Sequence, residues 1–104
     1  MGAAPRGAPP DFYAIAATPD GRAALFAIVQ KLRAMGLSGD LDFEGRSVKA
    51  QFRSANKSGA RFAVIVGGEE LAKQVVKVKN MADSLEQAVP VEEAAALIVR
   101  GRTP

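Results

Sequence analysis

The sequence predicts an α/β domain, on three observations. Short apolar runs alternate with stretches whose apolar residues recur at helical spacing. The strongest strand-like run, "ARFAVIVGG", is apolar on both faces, as a central parallel strand must be. Two later strand-like runs lie close enough in sequence to pair as a hairpin. Right-handed crossovers then set the first three strands parallel in the order 2-1-3. The expected product is a five-stranded mixed sheet with the hairpin at one edge and helices on both faces.

The elements follow in order. "FYAIAA", Phe12 to Ala17, reads as a short buried strand. Thr18 can cap the next helix, with Pro19 at the first helical position, where its missing N–H costs nothing. Leu25, Ile28, Val29 and Leu32 form the inward stripe, Met35 extends it, and Gly36 ends the helix. "LSGDLDF" is a second strand, with Leu41 and Phe43 alternating against Asp40, Asp42 and Glu44. A second helix is expected from about Arg46 to Lys57, stopping near Gly59. After the central strand, "EELAKQ" supplies a helical turn, and "VVKVK" and "LEQAVP" are the hairpin strands, joined by the polar "NMADS". Pro90 opens a last helix with Glu92 and Glu93 in its first turn, where the helix dipole favours acids; Arg100 and Gly101 close it. Residues 11–101 thus form the domain, and residues 1–10, rich in Ala, Pro and Gly, read as a linker-like lead-in.

Composition narrows the function. With 104 residues, 48% of them hydrophobic and 24% charged, the chain suits one globular domain. Cysteine and histidine are both absent, which removes disulfides, thiol nucleophiles, the commonest general base and nearly every zinc site. No apolar run approaches the roughly 20 residues that span a bilayer, and the N-terminus has no signal-peptide core. The expected setting is the cytoplasm, without a membrane partner. A net charge of +3 is mildly basic and favours anionic partners.

That charge is concentrated. From Arg46 to Arg61 the sequence carries five cations (Arg46, Lys49, Arg53, Lys57 and Arg61) and no acid. With Arg46 as the origin of a helical wheel, Lys49 falls at about 300°, Arg53 at about 340° and Lys57 at about 20°. Val48, Phe52 and Ala55 fall at about 200°, 240° and 180°, forming an apolar face turned away from the cations. A solvated surface helix usually mixes signs and gathers i,i+4 pairs, whereas a stripe of one sign repels itself unless an anion lies along it. A phosphate backbone is such an anion. Tyr13, Phe26, Phe43, Phe52 and Phe62 all suit buried positions, so no row of exposed rings is expected to stack unpaired bases.

Other chemistry is weaker. Gly67 and Gly68 follow a strand and precede a helical turn, but neither dinucleotide nor phosphate-loop spacing is present, and a tight turn accounts for them. Glu69 and Glu70 are neighbours about 100° apart on a helix and do not converge on one atom. Asp40, Asp42 and Glu44 share one strand face and could hold a cation weakly; a solvated face is the simpler reading. No nucleophile, base and orienting group assemble, so no catalytic residue, metal or cofactor is assigned.

From Asp40 onward, "DLDFEGRSVKAQF", "GARFAVIVGGEEL", "VKVKN" and "VPVEE" follow one another in an order and spacing that resemble the C-terminal anticodon-binding domain of histidyl-tRNA synthetase, a family shared with other class II synthetases. The likeness spans roughly Phe12 to Ile98. It implies a five-stranded mixed sheet with flanking helices, and an RNA partner, the anticodon stem-loop of tRNA-His. It also implies a synthetase catalytic domain upstream, where histidine ligation would occur. By motif, Arg46 and Lys49 belong to the start of the basic helix, Glu70 to the acid after the central strand that reads a base edge, and Lys79 to the cation ending the fourth strand. Together with Arg53 and Lys57 these are the expected RNA-binding residues. Gln74 stands where the family has glycine, and the first strand and the hairpin depart from the family wording. A second reading keeps the fold but makes it a protein-interaction or regulatory module without specific RNA binding.

Overall fold

The computed structural model describes residues 10–41 and 47–102 of the chain. Asp42, Phe43, Glu44, Gly45 and Arg46 lie outside them, as does the lead-in before Pro10, so the expectations placed on those residues have no structural counterpart here.

Among the described residues, nine elements follow in the expected order: β1 (Phe12–Ala16), α1 (Pro19–Ala34), β2 (Gly39–Leu41), α2 (Val48–Ser58), β3 (Phe62–Val66), α3 (Gly68–Ala72), β4 (Val76–Asn80), β5 (Glu86–Val89) and α4 (Val91–Arg102). The five strands make one sheet in the order β2-β1-β3-β4-β5. β1 runs parallel to β2 and β3, while β4 is antiparallel to both β3 and β5. The mixed sheet, the parallel 2-1-3 core and the edge hairpin are therefore present as the alternation of elements predicted.

Strand periodicity divides the interior in two. Phe12, Ala14, Phe62, Val64, Val66, Val76 and Val78 point to one side, where they meet Leu25, Val29 and Leu32 of α1 and Ala94, Ala95 and Ile98 of α4. Tyr13, Ile15, Ala63 and Ile65 point to the other, under Ala55 and the half-buried Phe52 of α2. Among the described residues, only β1 and β3 are covered by a helix on that second side. Lys77 and Lys79 of β4, and Glu86 and Ala88 of β5, stand on its uncovered part, paired in register as Lys77 with Ala88 and Lys79 with Glu86.

Local chemistry sets the helix ends. Thr18 Oγ1 accepts from Gly21 N–H at 3.2 Å, with Pro19 next, and Ser47 Oγ caps α2 by accepting from Ala50 N–H at 3.2 Å. Gly59 closes α2 with φ 77°, the left-handed conformation that glycine adopts without penalty.

Gln51 has a specific structural task. Among the described residues β2 pairs with β1 as far as Ala14 opposite Leu41. Two residues on, Ala16 presents its N–H and C=O to the same side, while Ala17 N–H reaches back to Val66 O at 2.8 Å. The buried Gln51 carboxamide meets both groups: Oε1 accepts from Ala16 N–H at 2.8 Å and Nε2 donates to Ala16 O at 3.0 Å. The side chain thus continues the ladder as a surrogate peptide group and satisfies two buried backbone groups.

Four expectations are corrected. Phe26 is 50% exposed, because it lies about 100° round α1 from Leu25 and faces away from the sheet. Met35 is 43% exposed, since the helix ends at Ala34 and the chain turns at Gly36. Val48 is 36% exposed and Gln51 takes its place in the buried face of α2, so that face centres on Gln51 and Ala55. α4 runs through Gly101 to Arg102, and a Cβ at Gly101 would collide with the Phe62 ring, so the glycine serves packing rather than termination.

Candidate nucleic-acid interface

Lys49, Arg53 and Lys57 all lie exposed on α2, on the side away from Gln51 and Ala55. Their i, i+4, i+8 spacing draws one line about 12 Å long. Arg46, the fourth expected member, lies outside the described residues. Among the described residues none of the three joins an ion pair, whereas Lys31 pairs with Glu92 at 3.1 Å, Lys73 with Glu69 at 3.6 Å and Lys77 with Glu86 at 3.9 Å. Among the described residues, Lys31, Lys73 and Lys77 are thus paired with acids, and the three cations of α2 are not.

The placement of Lys49 sharpens the point. It sits in the first turn of α2, which contains no acid. The helix dipole already makes that end positive, so a lysine there is locally unfavourable and adds to the field projected outward. The line begins beside the C-terminal end of β1, where Ser47, Val48 and Gln51 border the same cleft as Ala16, Thr18 and Arg22. It ends near the start of β3, because Gly59 leads into Phe62 within three residues. The cationic line therefore runs from the C-terminal end of β1 toward the start of β3.

Lys79 lies across the open part of the sheet. It pairs in register with Ala63, and its ammonium sits 4.9 Å from the centroid of the Phe52 ring. That cation–π contact holds the lysine toward α2 and gives Phe52 a surface role beyond filling the core. Lys77, two residues up the strand, projects from the same face and was missed by sequence reasoning. The Val-Lys-Val-Lys alternation that selects Lys79 selects it equally.

Glu70 occupies another part of the molecule. It lies on α3, beyond the C-terminal end of β3, and its Oε1 accepts from Gly67 N–H at 2.8 Å. One carboxylate oxygen thus stabilises the β3–α3 turn, as the reciprocal half of a capping box does. Ala63, opposite Lys79, is four residues before Gly67, so Gly67, to which the Glu70 carboxylate is bonded, lies about 13 Å along the strand from the level of Lys79. The structure brings Lys49, Arg53, Lys57, Lys77 and Lys79 onto one face and leaves Glu70 at its far rim. An extended polyanion could lie along the cations with one unit reaching the acid; a single small anion could not touch all of them.

Among the described residues no group of His, Cys, Asp and Glu is arranged to hold a metal ion, and no helix is long and apolar enough to cross a membrane. Asp40 is engaged with Arg33 at 3.8 Å and with Leu41 N–H at 2.9 Å.

Comparison with known proteins bears on the family and the fold. The family described as "Anticodon binding domain" matches residues 16–100. A histidine–tRNA ligase of Alkaliphilus oremlandii is 44% identical over 79 residues, covering 74% of this chain and 19% of that protein. Its counterpart in Geobacillus thermodenitrificans is 37% identical over 89 residues, covering 86% of this chain and 21% of that protein. The crystal structure of histidyl-tRNA synthetase from a Nostoc species superposes with a TM-score of 0.78 at 29% identity, covering 89% of this chain and 21% of that one. The apo enzyme of S. aureus shares the fold, with a TM-score of 0.79 at 21% identity over 92% of this chain and 25% of that one. The chain spans about a fifth of the length of the curated relatives it matches.

Proposed function

Since the chain belongs to the class II synthetase anticodon-binding domain family, in its histidyl-tRNA synthetase branch, we propose that it binds the anticodon stem-loop of tRNA-His. The observation that carries this reading is the line Lys49–Arg53–Lys57, exposed, without ion pairs among the described residues, and set beside the uncovered Lys77–Lys79 face. Cations on α2 take the phosphates, which positions the RNA without reading its sequence. Lys77 and Lys79 stand where loop bases or phosphates would reach the sheet. The Glu70 carboxylate, with one oxygen committed to Gly67, keeps the other to accept from a base amino group.

The same reading makes the chain the RNA-gripping part of a longer histidine ligase, or a separate domain that binds the same RNA. The residues here supply binding and no chemistry of ligation.

The test is a titration of the purified chain with labelled stem-loops at low and moderate salt. One carries the tRNA-His anticodon and one a permuted loop on the same stem. Affinity should fall steeply with salt and favour the tRNA-His loop. Equal affinity for both loops would remove the anticodon assignment. No binding to either would leave the protein-interaction reading in its place.

A further inference from the structure

Two non-glycine residues hold positive φ among the described residues, Gln74 at 59° and Ser84 at 64°. Ser84 lies in the β4–β5 connection, where its N–H reaches Asn80 O at 2.7 Å and the turn itself calls for a left-handed residue. Gln74 closes α3. Val75 N–H donates to Glu70 O at 2.9 Å, and Gln74 N–H to Leu71 O at 3.1 Å. This is the paired bonding of a Schellman motif, which normally places glycine at the left-handed position. α1 ends on the same motif, with Leu37 N–H to Leu32 O at 3.3 Å and Gly36 N–H to Arg33 O at 3.0 Å, and there Gly36 takes the left-handed residue at φ 89°. The chain thus builds one motif twice, once with the unstrained residue and once with a strained one.

Packing does not account for the glutamine. Gln74 is exposed, and its carboxamide makes no hydrogen bond among the described residues. Its neighbour Lys73 is already held by Glu69. Strain kept at an exposed position without an intramolecular return marks a site of use. The two flanking backbone bonds fix where the side chain starts, four residues after Glu70 and at the same end of the sheet. A carboxamide both donates and accepts, which matches the paired edge of a nucleobase, adenine above all.

We propose that Gln74 is a specificity-determining residue that reads one base of the bound RNA loop beside Glu70. This rests on the RNA-binding reading above and deepens it.

The experiment compares the wild-type chain with Gln74→Gly and Gln74→Ala, by thermal melting and by titration with the tRNA-His anticodon stem-loop and single-base variants of it. Gln74→Gly should melt higher by about 4 °C or more as the strain is released, yet bind at least fivefold more weakly, with the loss confined to one loop position. Gln74→Ala should lose the same affinity without the gain in melting. A purely structural glutamine predicts the melting gain with unchanged affinity and base preference, and that result would overturn the proposal. If the wild type discriminates among loops and Gln74→Gly discriminates equally, only the role of Gln74 falls. If the wild type binds no stem-loop, the RNA reading falls and this inference with it.

Discussion

Reversing one charge at the centre of the α2 line tests the electrostatic core of the account quantitatively. Arg53 is exposed, joins no ion pair among the described residues, and lies one helical turn from both Lys49 and Lys57. If the three cations each neutralise one phosphate of a stem, the logarithm of affinity should fall with the logarithm of salt at a slope of about −2.7. Raising salt fourfold, from about 50 to about 200 mM, then weakens binding about 40-fold. Arg53→Glu removes one contact, so the slope should ease to about −1.8 and the same salt step should cost only about 12-fold. Affinity at low salt should drop for every loop sequence, because a phosphate contact carries no base information. Fluorescence anisotropy over a salt series measures both slopes, and circular dichroism checks that the surface substitution leaves the fold intact. An unchanged slope in the variant would show that the α2 line does not touch RNA, whatever the affinity.

Three further substitutions probe other joints of the argument. Gln51→Leu removes both hydrogen bonds to Ala16 and leaves a buried N–H and C=O unsatisfied, so urea unfolding should show a loss of at least ~2 kcal/mol. Glu70→Gln keeps an oxygen able to accept from Gly67 N–H but loses the charge. Melting should change little while preference at one loop base relaxes; an unaltered preference would argue against base reading by Glu70. The Glu92 carboxyl is held below the ordinary glutamate range, first by its own backbone N–H at the start of α4 and then by Lys31. A depressed carboxylate contributes stability above its unfolded pKa and loses it as pH falls through the folded value, so Glu92→Gln should lower melting slightly at neutral pH, leave it unchanged at the acid extreme, and thereby flatten the acid limb of the profile; an equal loss at every pH would contradict this.

Much of the fold was legible because its signals are local and mutually consistent. Thr18-Pro19, Gly36, Gly59 and Pro90 mark helix ends by chemistry that needs no tertiary context. The doubly apolar β3 announces its central place. What periodicity could not settle was which apolar residues face the core when a helix carries more of them than it can bury. Phe26 lies off the line of Leu25, Val29 and Leu32, and Met35, though in phase with it, falls past the last helical turn at Ala34. Gln51 was illegible for the opposite reason. A polar residue is buried there because the Ala16 N–H and C=O take their partners from the Gln51 carboxamide, a tertiary requirement that no local pattern encodes. Of the interface, the α2 stripe could be read from spacing alone, since its residues share one helix. Lys77 and the docking of Lys79 on Phe52 depend on the sheet being open beside α2, which no single segment encodes. The strain at Gln74 was visible only as a departure from family glycine until its φ gave it a physical meaning.

The central claim is that RNA lies along α2 and the uncovered β4–β5 face. The most direct measurement is a set of amide NMR shifts for the isotope-labelled chain as the tRNA-His anticodon stem-loop is added. The account predicts shifts at Lys49, Arg53, Lys57, Lys77 and Lys79, continuing to Glu70 and Gln74, with α1 and α4 quiet. Shifts clustered on the outer faces of α1 and α4, with α2 unmoved, would contradict it.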